Sequence, residues 1–168
     1  MKIAIISDTH DNIANIKKAL DYINGQKITE LIHCGDVCAP ITMVEIAEQF
    51  KGNINLCIGN VDGDPFRMLQ RVQDGKAPNV TIHQEVGEFT IDGKKIAINH
   101  YPKIAKALAK TGDYDLVFYG HNHKPWVEKI GKTQLVNPGN VANIINAPTL
   151  AIYDTVTDNL ELIKLDEI

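Results

Sequence analysis

The chain has 168 residues, 44% of them hydrophobic and 23% charged, with a formal net charge of -4. That length fits one domain, expected over residues 1–168, able to bury a core without disulfide staples. The acidic balance gives no reason to expect duplex nucleic acid as a partner, which calls for a basic surface.

The elements follow in chain order. "KIAIIS" is a short β-branched run that reads as a buried strand. Ile13, Ile16, Leu20 and Ile23 then recur at helical spacing, and Gly25 closes the helix. "ELIHC" is a second strand, Pro40 opens a second helix through "ITMVEIAEQF", and "INLCI" is a third strand. This alternation implies parallel pairing with right-handed crossovers. Farther on, Asp92-Gly93 marks a hairpin inside "EFTIDGKKIAINH". "KIAKALAK" reads as a helix, "YDLVFYG" as a strand, and "WVEKIGKTQLV" and "LAIYDTVTDNLELIKL" as two more hairpins. Parallel units followed by hairpins suggest two sheets packed face to face, with helices outside.

No stretch approaches the ~20 apolar residues that span a bilayer, so no membrane partner is expected. The three cysteines form no disulfide-scaffold spacing, and a reducing, cytoplasmic location follows as the expectation. Cys34, Cys38 and Cys57 read as structural.

Five apolar runs end in side chains able to hold a metal. They lead into Asp8 and His10, Asp36, Asn60, His100, and His121 with His123. Carboxyl ends of parallel strands line the ligand crevice of open α/β sheets. Residues two apart in an extended segment share a side, so Asp8 with His10, and His121 with His123, are expected to present ligands in pairs. Glycines before Asp36, Asn60 and His121 fit tight turns and close backbone approach. Four nitrogen and three oxygen donors exceed what a single zinc takes. They suit two ions sharing a carboxylate, as in two-metal hydrolytic sites. The mixed donor set favours Mn, Fe, Ni, Co or Zn over Mg or Ca. Asp11 reads as the cap of the helix that follows it. His33, within a strand, and His83, in a loop-like region, read as hydrogen-bonded structural histidines.

Jointly, "SDTH", "HCGDV", "IGNVDG", "NHYP" and "GHNHKP" resemble the blocks of the calcineurin-like metallophosphoesterases. The likeness is to the small single-domain bacterial and archaeal phosphodiesterases, a group related to the eukaryotic retromer subunit fold. It implies a metallo-dependent phosphatase-like, four-layer α/β/β/α sandwich of two mixed sheets flanked by helices. It also implies two divalent transition metal ions, manganese foremost. Asp8, His10 and His123 would hold the first, Asp36 would bridge, and Asn60, His100 and His121 would hold the second. Asp36, Asn60 and His100 are the expected catalytic residues, acting through a metal-bridging hydroxide on a small phosphodiester. Asn60 and Asp62 are the expected substrate contacts. A homodimer is compatible with this reading, and the competing one is a protein-interaction scaffold with vestigial catalysis.

Two positions depart from the family pattern. Val61 stands where many members have a leaving-group histidine, which would pass that task to Asp62, to water or to nothing. Tyr101 stands where glycine is common, able to crowd the metals or contact substrate. Asn140, in the loop Asn137–Val141, holds the place of the family's usual serine.

Overall fold

The computed structural model describes residues Met1–Ile168. Eleven strands form two mixed sheets. The first contains β1 (Lys2–Ile6), β2 (Glu30–His33), β3 (Asn53–Cys57), β4 (Val80–His83), β10 (Thr149–Asp154) and β11 (Asn159–Lys164), in the order β11-β10-β1-β2-β3-β4. The second contains β5 (Val86–Ile91), β6 (Lys94–Asn99), β7 (Leu116–Phe118), β8 (Trp126–Ile130) and β9 (Thr133–Asn137), in the order β5-β6-β7-β9-β8. Strands β1, β2, β3 and β4 run parallel, as do β6, β7 and β9. The remaining pairings, β1–β10, β10–β11, β5–β6 and β8–β9, are antiparallel.

Why β1 reads as an unbroken apolar run is visible in its two faces. Ala4 and Ile6 pack with the helices α1 (Ile13–Gly25) and α2 (Pro40–Gln49), whereas Ile3 and Ile5 pack between the sheets. A strand buried on both faces has no polar side to alternate with. From the opposing sheet, Ile96, Ile98, Leu116, Phe118 and Val136 complete the layer between the sheets. Beyond the second sheet, Ala105 and Ala109 of α4 (Pro102–Thr111) pack against Ala97, Val117 and Leu135. The result is the expected helix–sheet–sheet–helix layering.

Two elements depart from the sequence reading. Helix α3 (Pro65–Gln73), capped by Asp64, follows β3, and β4 extends the first sheet through residues taken for loop. His83 therefore ends a strand, and its ring bonds to Asn55 Oδ1 at 3.0 Å. No helix is long and apolar enough to cross a membrane.

Candidate metal centre

The turns after β1, β2, β3, β6 and β7 meet along one edge of the two sheets. Their backbone is unusual. Asp8, His10, Asp36, His121 and His123 all have positive φ, between 41° and 75°. The left-handed region costs a non-glycine residue roughly 1–2 kcal/mol, so five of the seven candidate ligands are held against their local preference. Backbone bonds between the turns hold them there. The Asp8 amide donates to Gly35 O at 3.0 Å, the Thr9 and His10 amides to Asp36 O at 3.0 and 3.1 Å, and the Ala142 amide to Asp8 O at 3.1 Å. Strain concentrated where side chains converge marks functional sites.

Two glycines make the convergence sterically feasible. A Cβ on Gly59 would lie 2.1 Å from Asp36 Oδ1, and one on Gly120 would lie 2.6 Å from Asp8 Oδ2. The carboxylates occupy the space that side chains would fill.

Donor atoms of Asp8, His10 and His123 gather within 4.8 Å of one another, as do those of Asp8, Asp36 and His100. In the first group, His10 Nε2 and His123 Nε2 are 3.2 Å apart, with Asp8 Oδ1 3.3 Å from the latter. In the second, His100 Nε2 is 3.3 Å from Asp36 Oδ2 and 3.0 Å from Asn60 Oδ1. His121 Nδ1 reaches the same Asn60 oxygen at 2.8 Å. Asp36 Oδ2 also lies 3.8 Å from His10 Nε2, so this oxygen stands between the groups. All seven sequence-expected ligands thus come together at one locus.

The pairing within the centre differs from simple strand alternation. His121 and His123 are two apart but lie in left-handed turns, not in an extended segment. They part, with His121 joining Asn60 and His100, and His123 joining Asp8 and His10.

Ring hydrogen bonds assign the tautomers. His100 Nδ1 donates to Cys34 O at 2.7 Å and His123 Nδ1 to Ile144 O at 3.1 Å. In the neutral imidazoles each Nε2 is then a bare lone pair. These lone pairs face a carboxylate, an amide oxygen and another imidazole nitrogen. Acceptor facing acceptor at hydrogen-bond distance is repulsive unless a proton or a cation lies between. The donor set therefore fits divalent transition metal ions, with carbonyls orienting the ring nitrogens.

The same crowding displaces the acidities of the protein without metal. Burial raises Asp8, while the Ser7 hydroxyl, near it but outside hydrogen-bond geometry, pulls the other way. Burial also opposes ionisation of Asp36, yet the bond it accepts from His100 when that ring is protonated, and the one from the Val61 amide, hold it below the ordinary carboxylate value. Burial works against a charged His100, but the Asp36 carboxylate outweighs it and holds the imidazolium pKa above its usual value.

Asp62 and Asp11 do not have the environments expected of them. Asp62 is buried and turned inward. Its Oδ2 accepts from the Gly59 amide at 2.7 Å and the Asp36 amide at 3.2 Å, and its Oδ1 from the Cys38 amide at 2.9 Å. A carboxylate so engaged ties two ligand turns together. Asp11 does not cap α1, because Asn12 does, accepting from the Asn15 amide at 3.2 Å. Asp11 caps the other helix. Its Oδ1 accepts from the Ala39 amide at 3.0 Å and the Thr42 hydroxyl at 2.6 Å, at the α2 terminus that lacks a cap of its own.

Several residues brace the centre from outside it. His33 is the hydrogen-bonded structural histidine expected from the sequence, and its place is specific: Nδ1 accepts from the Gly35 amide at 3.2 Å, so Nε2–H donates to Thr9 Oγ1 at 3.1 Å. It thereby clamps the Asp8 turn to the Asp36 turn. Asn140 does not enter the cluster. Its amide donates to His123 O at 3.3 Å and Asn146 O at 3.1 Å, and its oxygen accepts from the Ile144 amide at 2.9 Å. Asn137 donates to Gly120 O at 2.9 Å and Asn122 Oδ1 at 2.7 Å, bracing the turn that carries both distal histidines. The "NPGN" stretch was the signal for both. Cys38 Sγ lies 3.5 Å from His10 Nδ1, and burial raises its thiol to about 11 in the protein without metal.

Residues 1–158 match the model of the calcineurin-like phosphoesterase superfamily domain. The chain is 33% identical over 158 residues to the Phosphodiesterase MJ0936 of Methanocaldococcus jannaschii, which spans 92% of this chain and 93% of that protein. A solved structure described as a novel archaeal phosphodiesterase is similar with a TM-score of 0.89 at 31% identity, covering 98% of this chain and 99% of the other. A Vps29 variant from Entamoeba histolytica has the same fold, with a TM-score of 0.69 at 16% identity over 98% and 99% of the two chains.

Proposed function

The chain belongs to the calcineurin-like phosphoesterase superfamily, and we propose that it hydrolyses phosphodiesters with two divalent metal ions held by the seven converging side chains. The observation that carries this reading is the set of mutually facing acceptors. His10, His123 and Asp8 on one side, and His100, Asn60 and Asp36 on the other, turn lone pairs toward common points. Asp8, His10 and His123 would hold one ion, Asn60, His100 and His121 the other, with Asp36 between them. Ions bound there supply Lewis acidity toward phosphoryl oxygens and a water nucleophile ionised near neutral pH. Imidazoles mixed with carboxylates suit Mn, Fe, Co, Ni or Zn over Mg or Ca, and the family resemblance puts manganese foremost.

The chain's own residues do the rest. The Cys34 and Ile144 carbonyls hold the His100 and His123 rings in the orientation that presents Nε2. With Asn60 Oδ1 directed at the histidines, its amide N–H groups remain for a phosphoryl oxygen that gains charge in the transition state. Val61 offers no proton and Asp62 is engaged, so the departing oxygen must leave without an acid from this loop. A diester with a good leaving group is the substrate that tolerates this. Three free cysteines, two of them buried, support a reducing, cytoplasmic setting.

The test is hydrolysis of bis(p-nitrophenyl) phosphate beside p-nitrophenyl phosphate by protein loaded with Mn. The expected result is diester turnover at least about tenfold above monoester, more than ~1.4 kcal/mol of transition-state preference. Protein shown to hold two ions that turns over neither ester overturns the reading and favours a scaffold.

A further inference from the structure

Tyr101, one of the two residues that depart from the family pattern, forms one wall of a cavity beside the metal centre. The ring lies 5.3 Å from the His100 ring and 5.3 Å from the His121 ring, centroid to centroid. It is half-buried and positioned from behind. Its amide donates to Asn99 Oδ1 at 2.7 Å, while Asn99 Nδ2 bonds to the Glu85 carbonyl. Asn99 thus couples Tyr101 to the segment between β4 and β5. That segment, the start of α3 and the residues after β3 line an open cavity of about 240 Å³, formed by Ile58, Gly59, Pro65, Gln84, Glu85 and Tyr101. The backbone at Gly59 is shared with the centre, since Asp36 Oδ1 occupies the space of its absent side chain.

We infer that this cavity is the subsite for the alcohol arm that stays on phosphorus, and that it selects an uncharged nucleoside. This rests on the proposed phosphodiesterase reading. Ile58, Pro65 and Tyr101 give apolar and aromatic walls, on which a flat base can stack. Gln84 offers an amide donor and acceptor, and Glu85 an acceptor for base amino or ribose hydroxyl hydrogens. The Glu85 carboxylate disfavours an arm bearing a further phosphate. A volume of about 240 Å³ is below the ~300–1,000 Å³ of sites that enclose a drug-sized ligand, so the cavity accepts one arm, with the phosphorus outside it at the ions.

The test compares two diesters with the same leaving group, thymidine 5'-(p-nitrophenyl phosphate) and methyl p-nitrophenyl phosphate, using Mn-loaded protein. Wild-type kcat/KM is expected to favour the thymidine ester by about tenfold or more, within the range of base–aromatic stacking. Tyr101→Leu is expected to bring that ratio close to one, and Tyr101→Phe to retain it. Independently, thymidine titrated into metal-free wild-type protein is expected to shift the NMR signals of Ile58, Gly59 and Tyr101. Equal wild-type turnover of the two esters, or thymidine shifts confined to other residues, overturns the subsite and leaves the phosphodiesterase reading intact. Absence of any turnover, with two ions bound, overturns both.

Discussion

His10 Nε2 and His123 Nε2 face each other across 3.2 Å, although 113 residues separate them in sequence. Both rings stand on left-handed turns, and the Ile144 carbonyl orients the second. Nothing in local preference produces this meeting. It comes from turns after β1 and β7, on different sheets, brought to one edge by the packing of Ile3, Ile5, Ile98 and Phe118 between them.

The cap supplied by Asp11 is separable from the centre, though Asp11 directly follows His10. Asp11→Ala removes the acceptor for the Ala39 amide and Thr42 hydroxyl, and is expected to cost about 1 kcal/mol of stability. Urea denaturation measures the loss, and metal analysis should show unchanged stoichiometry. A lost ion with unchanged stability would contradict this assignment.

Asp62→Asn replaces an acceptor-only carboxylate by a group whose N–H atoms face the backbone amides of Gly59, Asp36 or Cys38. The expected cost is about 2 kcal/mol, with turnover of p-nitrophenyl and phenyl diesters reduced by the same factor. A drop confined to the poorer leaving group would restore Asp62 as the acid.

Val61 is 41% exposed at the rim, and its amide donates to Asp36 Oδ1 at 3.0 Å. An imidazole there would face solvent and substrate without disturbing the backbone bond. Val61→His is expected to raise turnover of phenyl or alkyl diesters by about 100-fold, the lower end for a positioned general acid. Rates on p-nitrophenyl esters should change little. An unaltered dependence of rate on leaving-group pKa would show that the position does not reach the departing oxygen.

Acid should weaken the fold through His33. Burial lowers its pKa from 6.5 to about 3, so between those values the unfolded chain binds a proton that the folded chain does not. Stability from the neutral ring is complete above about 6.5 and is lost as pH falls toward 3, by up to ~1.4 kcal/mol per pH unit. The stability difference between wild type and His33→Gln should accordingly shrink from pH 7 to pH 5. A constant difference would contradict the assigned neutral state.

Much of this was legible in the sequence because strand ends are legible. Apolar runs too short for helices lead into Asp8, Asp36, Asn60, His100 and His121, and parallel sheets gather such ends. What escaped depended on backbone conformation. Alternation by two assumes extended chain, and none of Asp8, His10, His121 and His123 is extended, so spacing alone does not decide that the first pair stays together and the second divides. Asp11 precedes one helix in sequence yet caps another, which only the tertiary approach of the two turns reveals. Helix α3 hides because Phe66 and Leu69 are exposed and Met68 alone is fully buried, leaving no apolar stripe of the expected width. Strand β4 has four residues, and His83 at its end obscures the pattern.

The central claim is that facing lone pairs mark two ion sites with Asp36 between them. Equilibrium dialysis against Mn, with the bound metal counted for wild type, Asp8→Ala and His121→Ala, tests it most directly. The account predicts two ions per chain in wild type and at most one in each variant, all three remaining folded. One ion or none in folded wild type, or two ions retained in both variants, would contradict it.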